Sequence, residues 1–389
     1  MRYGLGQVFG VELEYMIVDQ DTLDVKPIAD RLIGTDGECD RGPFTWVNEL
    51  AAHLIEIKLT HPLASLQGLA AGFQGEVAEI NRRLAPHNAR LLPTAMHPWM
   101  DPHAEMRLWP HESGPVYAAF DRIFDCRGHG WANVQSAHIN LPFADDDEFA
   151  RLHAAIRLVL PLIPALAASS PIRDGRIGGS LDERLAVYKT NAARIPSVTG
   201  LVVPEPIYTE ADYRARILEP MYRDIAPLDP DGLLRDEWLN ARGAIARFDR
   251  NTIEIRVIDV QECPAADLAI VMMVWRFIER QLDRYEAIRN ADTRALSRLL
   301  DRVVVEGGMA TTAGIPEYGD SRRIHDIWIG LYRDGGPLPD AQADEAVRVI
   351  LEHGNLSERL LKSTAPLIQT YSKLADSLAL GAVFRNITA

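Results

Sequence analysis

The alternation of apolar and polar positions is sharpest near the N-terminus, in Phe9-Gly-Val-Glu-Leu-Glu-Tyr-Met-Ile-Val18. A period of two predicts an extended strand over 8–18, with Val11, Leu13, Tyr15 and Ile17 on one side and Glu12, Glu14 and Met16 on the other. Two carboxylates on one strand face repel. The stretch is therefore either an edge strand with a solvated acidic face or part of a site where a cation balances them. The same period recurs downstream. Residues 44–50 and 54–60 predict a strand pair or one long bent strand, with Leu54, Glu56 and Lys58 opposite Ile55, Ile57 and Leu59. Residues 131–143 set Ser136, His138 and Asn140 against Ala137, Ile139 and Leu141. Residues 247–260 set Thr252, Glu254, Arg256 and Ile258 against Ile253, Ile255, Val257 and Asp259.

Helical spacing takes over elsewhere. Leu66, Leu69, Phe73, Val77, Ile80 and Leu84 predict a long amphipathic helix over 63–90. A short helix is expected over 115–125. The run Asp145-Asp-Asp-Glu148 places acidic residues where a helix dipole favours them, at the head of a helix reaching about residue 167. Another helix opens at Ser180 or Leu181. After Pro264 the pattern is helical at 265–288, 293–304, 321–333, 340–353 and 355–378.

Irregular stretches lie between these elements. The acidic turn at 19–24 lacks the central glycine and terminal glutamate of a calcium loop. Residues 30–43 are rich in Gly and Asp, and 91–114 form an ordered loop around Met96-His-Pro-Trp99. Residues 169–179 form a glycine-containing loop with Arg173 and Arg176, 196–210 a Pro-broken, strand-rich connection, and 210–245 a mixed region. Strands and helices do not alternate as in a doubly wound fold. The expected class is α+β: an antiparallel sheet backed by long helices. A single domain over 1–389 is expected, its sheet-bearing core in 1–262 and a mostly helical part in 263–389.

Composition narrows the function. A chain of 389 residues with 47% hydrophobic and 25% charged residues is that of a soluble globular protein. The apolar run 158–168 is too short to span a membrane and holds two prolines. Acidic residues stand where an export signal would need its apolar stretch. Cys39, Cys126 and Cys263 are isolated, so neither a disulfide framework nor a zinc ribbon is implied, and a cytoplasmic location is expected. A net charge of −14 argues against nucleic acid as a partner. It leaves room for a nucleotide whose phosphates reach an acidic pocket through divalent metal ions.

The polar strand faces carry metal-ligand residue types, where ordinary solvated faces are rich in Lys, Thr and Ser. Glu12, Glu14, Glu49, Glu56, His138 and Glu254 are the candidate set, suited to a hard ion such as Mg²⁺. Each alone has an ordinary alternative: surface charges for Glu49 and Glu56, pairing with Arg256 for Glu254, a satisfied core histidine for His138. Gly4-Leu-Gly-Gln-Val-Phe-Gly10 has the wrong spacing for a dinucleotide fingerprint and precedes a strand. Neither GxxxxGK[ST] nor HExxH occurs. A bound triphosphate would therefore have to be held by metals and arginines.

These residues are similar to the motifs of the glutamate–cysteine ligase superfamily, including its type 2 carboxylate–amine ligases. Gly10-Val-Glu-Leu-Glu14 resembles the GxExE opening, and Glu49 with Glu56 and Thr60 the second acidic motif. Ser136-Ala-His-Ile-Asn140 resembles the histidine strand in its HxN form, where the carboxylate–amine ligase branch more often has HxH. Ser169-Ser-Pro171 through Gly175, Ser180 and Arg184 resembles NSPxxxG…SxR, and Thr252-Ile-Glu-Ile-Arg256 with Asp259 and Gln261 resembles TxExR…D. The matches run in order over 10–261.

The resemblance implies a glutamine-synthetase-like catalytic fold, a curved antiparallel sheet lining a funnel. The six candidate ligands would hold two or three Mg²⁺, with Mn²⁺ as a substitute. Asn140 and Arg256 would stand near the phosphates of ATP. Arg184, or else Arg176 or Arg173, would stand near phosphate or the amino-acid carboxylate; surface solvation is the plain alternative for the last two. The implied reaction is ATP-dependent ligation of a carboxylate, expected to be the γ-carboxylate of glutamate, to an amine, expected to be cysteine. Rival expectations are the same chemistry with another amine or acid, and a non-catalytic Mg–nucleotide-binding protein. Small-molecule amino acids and amines are the expected partners, with no nucleic acid and no membrane; a homo-oligomer is left open.

Overall fold

The computed structural model describes residues 2–385. Its centre is an antiparallel sheet of β1 (Gly10–Asp19), β2 (Glu38–Asp40), β3 (Phe44–Asn48), β4 (Leu54–Leu59), β5 (Ala89–Leu92), β6 (Ser136–Pro142), β9 (Ala244–Arg247) and β10 (Thr252–Asp259). The order is β2-β3-β4-β1-β6-β10-β9. The first half of β1 pairs with β6 and its second half with β5, while β4 lies along the other side. A separate hairpin joins β7 (Ile172–Arg173) to β8 (Arg176–Ile177).

The alternation read from the sequence decides which face is dry. Val11, Leu13, Tyr15, Ile17, Ile55, Ile57, Ala137, Ile139, Leu141, Ile253 and Ile255 are fully buried in one apolar cluster. Helices Leu69–Leu84, Asp146–Val159 and Pro264–Gln281 supply Phe73, Val77, Ile80, Phe149, Leu152, Ile156, Leu268, Met272 and others to that cluster. Each such side chain taken from water contributes about 1.5–3 kcal/mol. A polar pin crosses the layer: the Tyr15 hydroxyl donates to Asp267 Oδ2 at 3.2 Å. The helices Thr293–Glu306, Ile324–Gly335 and Ala341–His353 join the same cluster from outside. No helix among the described residues is long and apolar enough to cross a membrane.

Several boundaries differ from the sequence expectations. Residues 44–60 fold as two strands, with Glu49 in the connection between them. The helix expected over 63–90 begins only at Leu69, after Gly68 in a left-handed conformation (φ 78°). Residues 30–43 hold a short helix and the edge strand β2; β5 crosses from the stretch expected as helix into the expected 91–114 loop, and β9 from the mixed region to Arg247, the start of the expected strand. The 131–143 strand starts at Ser136, after the short helix His129–Ala132. Residues 196–210 form no named strand. Pro366 divides the last expected helix into Leu356–Leu361 and Leu367–Leu380.

The alternation along 247–260 is also corrected. Arg247 ends β9, opposite Thr252, and the ladder with β6 slips between Ile255 and Ile258. This is a β-bulge: Arg256 and Val257 share the place of one residue opposite His138. Beyond it the faces exchange. Ile258 pairs with Ala137 on the dry face and Asp259 with Ser136 on the polar face, the reverse of strict alternation.

Candidate active site

The polar face of the sheet floors a cavity of about 350 Å³. Cross-strand pairing explains why its charges meet. Glu56 stands opposite Glu14, Lys58 opposite Glu12, Glu12 opposite His138, and Asn140 opposite Glu254. Residues paired this way hold their side chains about 5 Å apart.

Glu12 accepts from Asn140 Nδ2 at 3.0 Å and lies 3.1 Å from His138 Nδ1. Glu14 Oε2 accepts from the Ser136 N–H at 2.7 Å and its hydroxyl at 3.1 Å. His138 Nε2 is 2.8 Å from Ser136 Oγ and 3.7 Å from Glu14 Oε1. Arg256 Nε donates to Glu254 Oε1 at 2.5 Å, and Arg247 Nη1 approaches the other carboxylate oxygen of Glu254 at 4.0 Å.

The electrostatics divide the acids into two kinds. Burial favours the neutral form of Glu12, but the hydrogen bond and charge of His138, with Lys58 and Arg256, outweigh it and hold the carboxyl at about 2. Glu49 goes the other way: burial, then the neighbouring Glu14, lift it to about 7. Glu56 is raised well above the ordinary carboxyl range by burial, then by Glu12 and Glu49. Burial alone would lower His138, yet the Glu12 hydrogen bond and the charges of Glu14 and Glu254 raise it. The imidazolium thus stands where a cation is wanted among three carboxylates.

Two trios have the geometry of a metal site: Glu12, His138 and Glu254, and Glu14, Glu56 and His138. In each, one ligand atom per residue lies within 4.8 Å of the others. Carboxylate oxygens crowded until burial and repulsion lift two of them above the ordinary range are a donor set that fits a hard divalent cation.

The structure thus brings together Glu12, Glu14, Glu49, Glu56, His138, Glu254, Arg256 and Arg184 around one cavity, with Asn140 hydrogen-bonded to Glu12. It does not bring Arg173 or Arg176 there. Their loop closes as the β7–β8 hairpin, turning through Asp174 and Gly175, both with positive φ (54° and 71°) as an Asp-Gly turn requires. Arg173 is 3.1 Å from Glu183, and Arg176 is exposed. Arg184 lines the cavity, but its Nη2 donates to two backbone carbonyls and its Nε stands 3.0 Å from Asp259 Oδ1 as an ion pair.

Sequence reasoning passed over several lining residues. Lys58 shares the polar face with Glu56 and was readable by alternation. Arg247 was not, because the turn that sets it opposite Thr252 leaves no periodic signal. Phe120, Trp131 and Trp238 converge from three separate segments, with ring centroids 5.3 and 5.7 Å from Phe120, and form an aromatic wall with Tyr117 and Tyr188 nearby. Nothing in the local sequence pattern joins them.

The profile of glutamate–cysteine ligase family 2 matches residues 8–374. An uncharacterised protein of Archaeoglobus fulgidus is 34% identical over 281 residues, 71% of this chain and 75% of that one. A Rubrobacter xylanophilus protein provisionally named glutamate–cysteine ligase 2-3 is 28% identical over 282 residues, 70% of this chain and 69% of that one. In fold, the chain is similar to the glutamate–cysteine ligase of Francisella tularensis solved with AMP. The TM-score is 0.62 at 13% identity, covering 97% of this chain and 89% of that one. A bifunctional glutathione synthetase from Pasteurella multocida gives a TM-score of 0.56 at 15% identity, covering 96% and 52%. The protein is an ATP-dependent ligase. It belongs to glutamate–cysteine ligase family 2.

Proposed function

We propose that the cavity binds Mg–ATP and joins the γ-carboxylate of glutamate to an amine, with cysteine as the first acceptor to test. One observation carries the reading: two metal-capable trios share His138 on a sheet face whose next strand presents Arg256. The AMP in the Francisella neighbour supports a nucleotide at this fold's site.

Glu12 and Glu254, with His138 once it has given up its proton, would hold one Mg²⁺, and Glu14 and Glu56, with Glu49 beside them, a second. When bound, the ions would neutralise the triphosphate and orient it for in-line attack. Arg256 remains cationic at any working pH; burial opposes its charge, but Glu254 and Tyr188 raise its pKa further. It would donate to the oxygens of the transferred phosphoryl group, while Asn140, opposite Glu254, donates to Glu12 and Arg247 approaches Glu254.

A substrate carboxylate oxygen attacks the γ-phosphorus, the bond to ADP breaks, and an acyl phosphate forms. The amine then attacks the acyl carbon, the carbon–oxygen bond to phosphate breaks, and the amide is left after loss of the amine proton. No protein nucleophile is called for: none of Cys39, Cys126 or Cys263 lines the cavity. Orienting the reactants supplies much of the rate.

The test is purified protein with ATP, Mg²⁺ and glutamate, scanned over amines for ADP release, with hydroxylamine added to trap the acyl phosphate as a hydroxamate. ADP release with cysteine supports the first reading. The aromatic wall favours a second reading, a larger amine, and turnover with such an amine but not with cysteine would select it. Absence of hydroxamate with any acid would end both.

A further inference from the structure

We infer that Arg184 is a positioning residue: it holds the bulge of β10 that aims Arg256 into the cavity. Family likeness would put this arginine on a ligand, but its bonds run to the protein. Its side chain is 2% exposed. Nη2 donates to the carbonyl oxygens of Arg256 at 2.7 Å and Ile258 at 3.2 Å, the two residues that flank Val257 in the bulge. Nε lies 3.0 Å from Asp259 Oδ1. Asp259 Oδ2 accepts from the Ser169 N–H at 2.9 Å and Ser170 Oγ at 2.8 Å, and Ser170 Oγ accepts from the Arg184 N–H at 3.2 Å. Hydrogen bonds and the Arg184–Asp259 ion pair close on themselves: guanidinium, bulge, Asp259, Ser170 and the Arg184 backbone.

The opposite side of the bulge is shaped to match. The Arg256 N–H donates to Gly243 O at 2.9 Å. A Cβ on Gly243 would stand 2.5 Å from Val257 Cγ1 and 2.8 Å from Leu160 Cδ2, so the bulged residues occupy space that only glycine leaves. Without the added residue, Arg256 and Asp259 would fall on opposite faces, because three positions separate them. With it, Asp259 turns toward Arg184 while Arg256 reaches Glu254. A bulge re-aims a side chain only while something keeps the strand from slipping back into register. Arg184 spans both of its ends.

The inference rests on the proposed role of Arg256 at the transferred phosphoryl group, so its test separates the two. In the full-length chain, Arg184→Met, Arg256→Ala and the double variant are compared in two ways. One is the Kd of Mg–ATP by calorimetry, which reads the coupling whatever the acid substrate is. The other is the rate of hydroxamate formation from ATP, glutamate and hydroxylamine. Arg256→Ala should lower the rate by about 10²-fold or more, as loss of a transition-state donor does. Arg184→Met should cost roughly 10- to 100-fold through misplacement of Arg256. The double variant should fall within about 2-fold of Arg256→Ala, since a residue acting only through another costs nothing once that partner is gone. Losses that multiply would overturn the inference and return Arg184 to direct ligand contact. Wild-type rate and Kd in Arg256→Ala would remove the premise, a different failure with its own signature. Because Arg184→Met strands Asp259, the pair Arg184→Met/Asp259→Asn is made as well. A rate loss that persists at wild-type Tm supports aiming, and full recovery of rate would reduce Arg184 to a folding residue and overturn the inference.

Discussion

Replacing Glu49 by Gln should make the metal-free protein more stable at pH 8. Glu49 sits between β3 and β4 with Oε2 accepting from the Leu50 N–H at 3.3 Å, a bond the Gln carbonyl can keep. Its carboxyl is lifted from 4.5 to about 7 by burial and by Glu14. A raised pKa means the folded state holds the proton more tightly than the unfolded chain. The stability this gives is complete below pH 4.5 and is lost as pH rises through about 7. At about 1.4 kcal/mol per pH unit the loss is about 3.5 kcal/mol, and solvent reaching this half-buried group trims it to about 2. In EDTA, urea unfolding should therefore find Glu49→Gln equal to wild type near pH 4.5 and about 2 kcal/mol more stable at pH 8. With Mg–ATP the order should reverse, because ligand bound at 100 times Kd adds about 2.7 kcal/mol to a chain that retains its donors. A Gln variant less stable than wild type at pH 8 in EDTA would refute the reasoning, for Glu49 would then be a stabilising charge and the acidic cluster an ordinary ion-pair network.

Three further outcomes follow from particular contacts. Glu254→Gln keeps the shape of the Arg256 pair but removes a metal-capable charge, and hydroxamate formation should fall about 10²-fold or more; wild-type activity would take Glu254 out of the site. Gly243→Ala forces a methyl to 2.5 Å from Val257 Cγ1 and should cost about 1–3 kcal/mol in urea unfolding, with a fall in rate as the bulge shifts. Asp267, pushed well above the usual carboxyl range by burial and then by Glu262, holds its proton more tightly in the folded state. Its contribution is complete below pH 3.8 and fades as pH rises, so Asp267→Asn, able to meet both Tyr15 and the Gln261 N–H, should gain on wild type between pH 4 and 8. A constant difference across that range would show that Asp267 stays ionised.

Much of the floor of the site was legible because a strand face is written directly into alternation. Glu12, Glu14, Glu56, His138 and Glu254 each sit opposite a buried aliphatic row, and the pairing that gathers them follows from burying that row. What alternation cannot show is an inserted residue. The bulge at Arg256–Val257 looks regular in the sequence, yet it exchanges the faces of Ile258 and Asp259 and gives Arg184 its partners. The strands β5 and β9 were missed because four-residue segments in the interior, Ala-Arg-Leu-Leu and Ala-Ile-Ala-Arg, carry too few positions to show a period. Arg173 and Arg176 were expected near phosphate from motif likeness, and the tight Asp-Gly turn carries them elsewhere. The aromatic wall lies on three separate segments, and only tertiary packing brings its rings within reach of one another.

The double pairing of β1 bears on when during synthesis such a protein gains its chemistry. The hairpin of β3 and β4 and the return to β1 close within the first sixty residues, as does the acidic pair Glu14 and Glu56. His138, however, stands 126 residues beyond the Glu12 it touches, and β10 follows only after the long helical and looped stretch to Thr252. Pairings across such separations close slowly, and on a ribosome they wait for the chain to emerge. Until β6 arrives, one edge of the first half of β1 is open. Glu12 and Glu14 would then charge that open edge, as charged edge residues discourage wrong partners. The residues that would later hold ATP and its metals thus serve first as guards on an unfinished sheet.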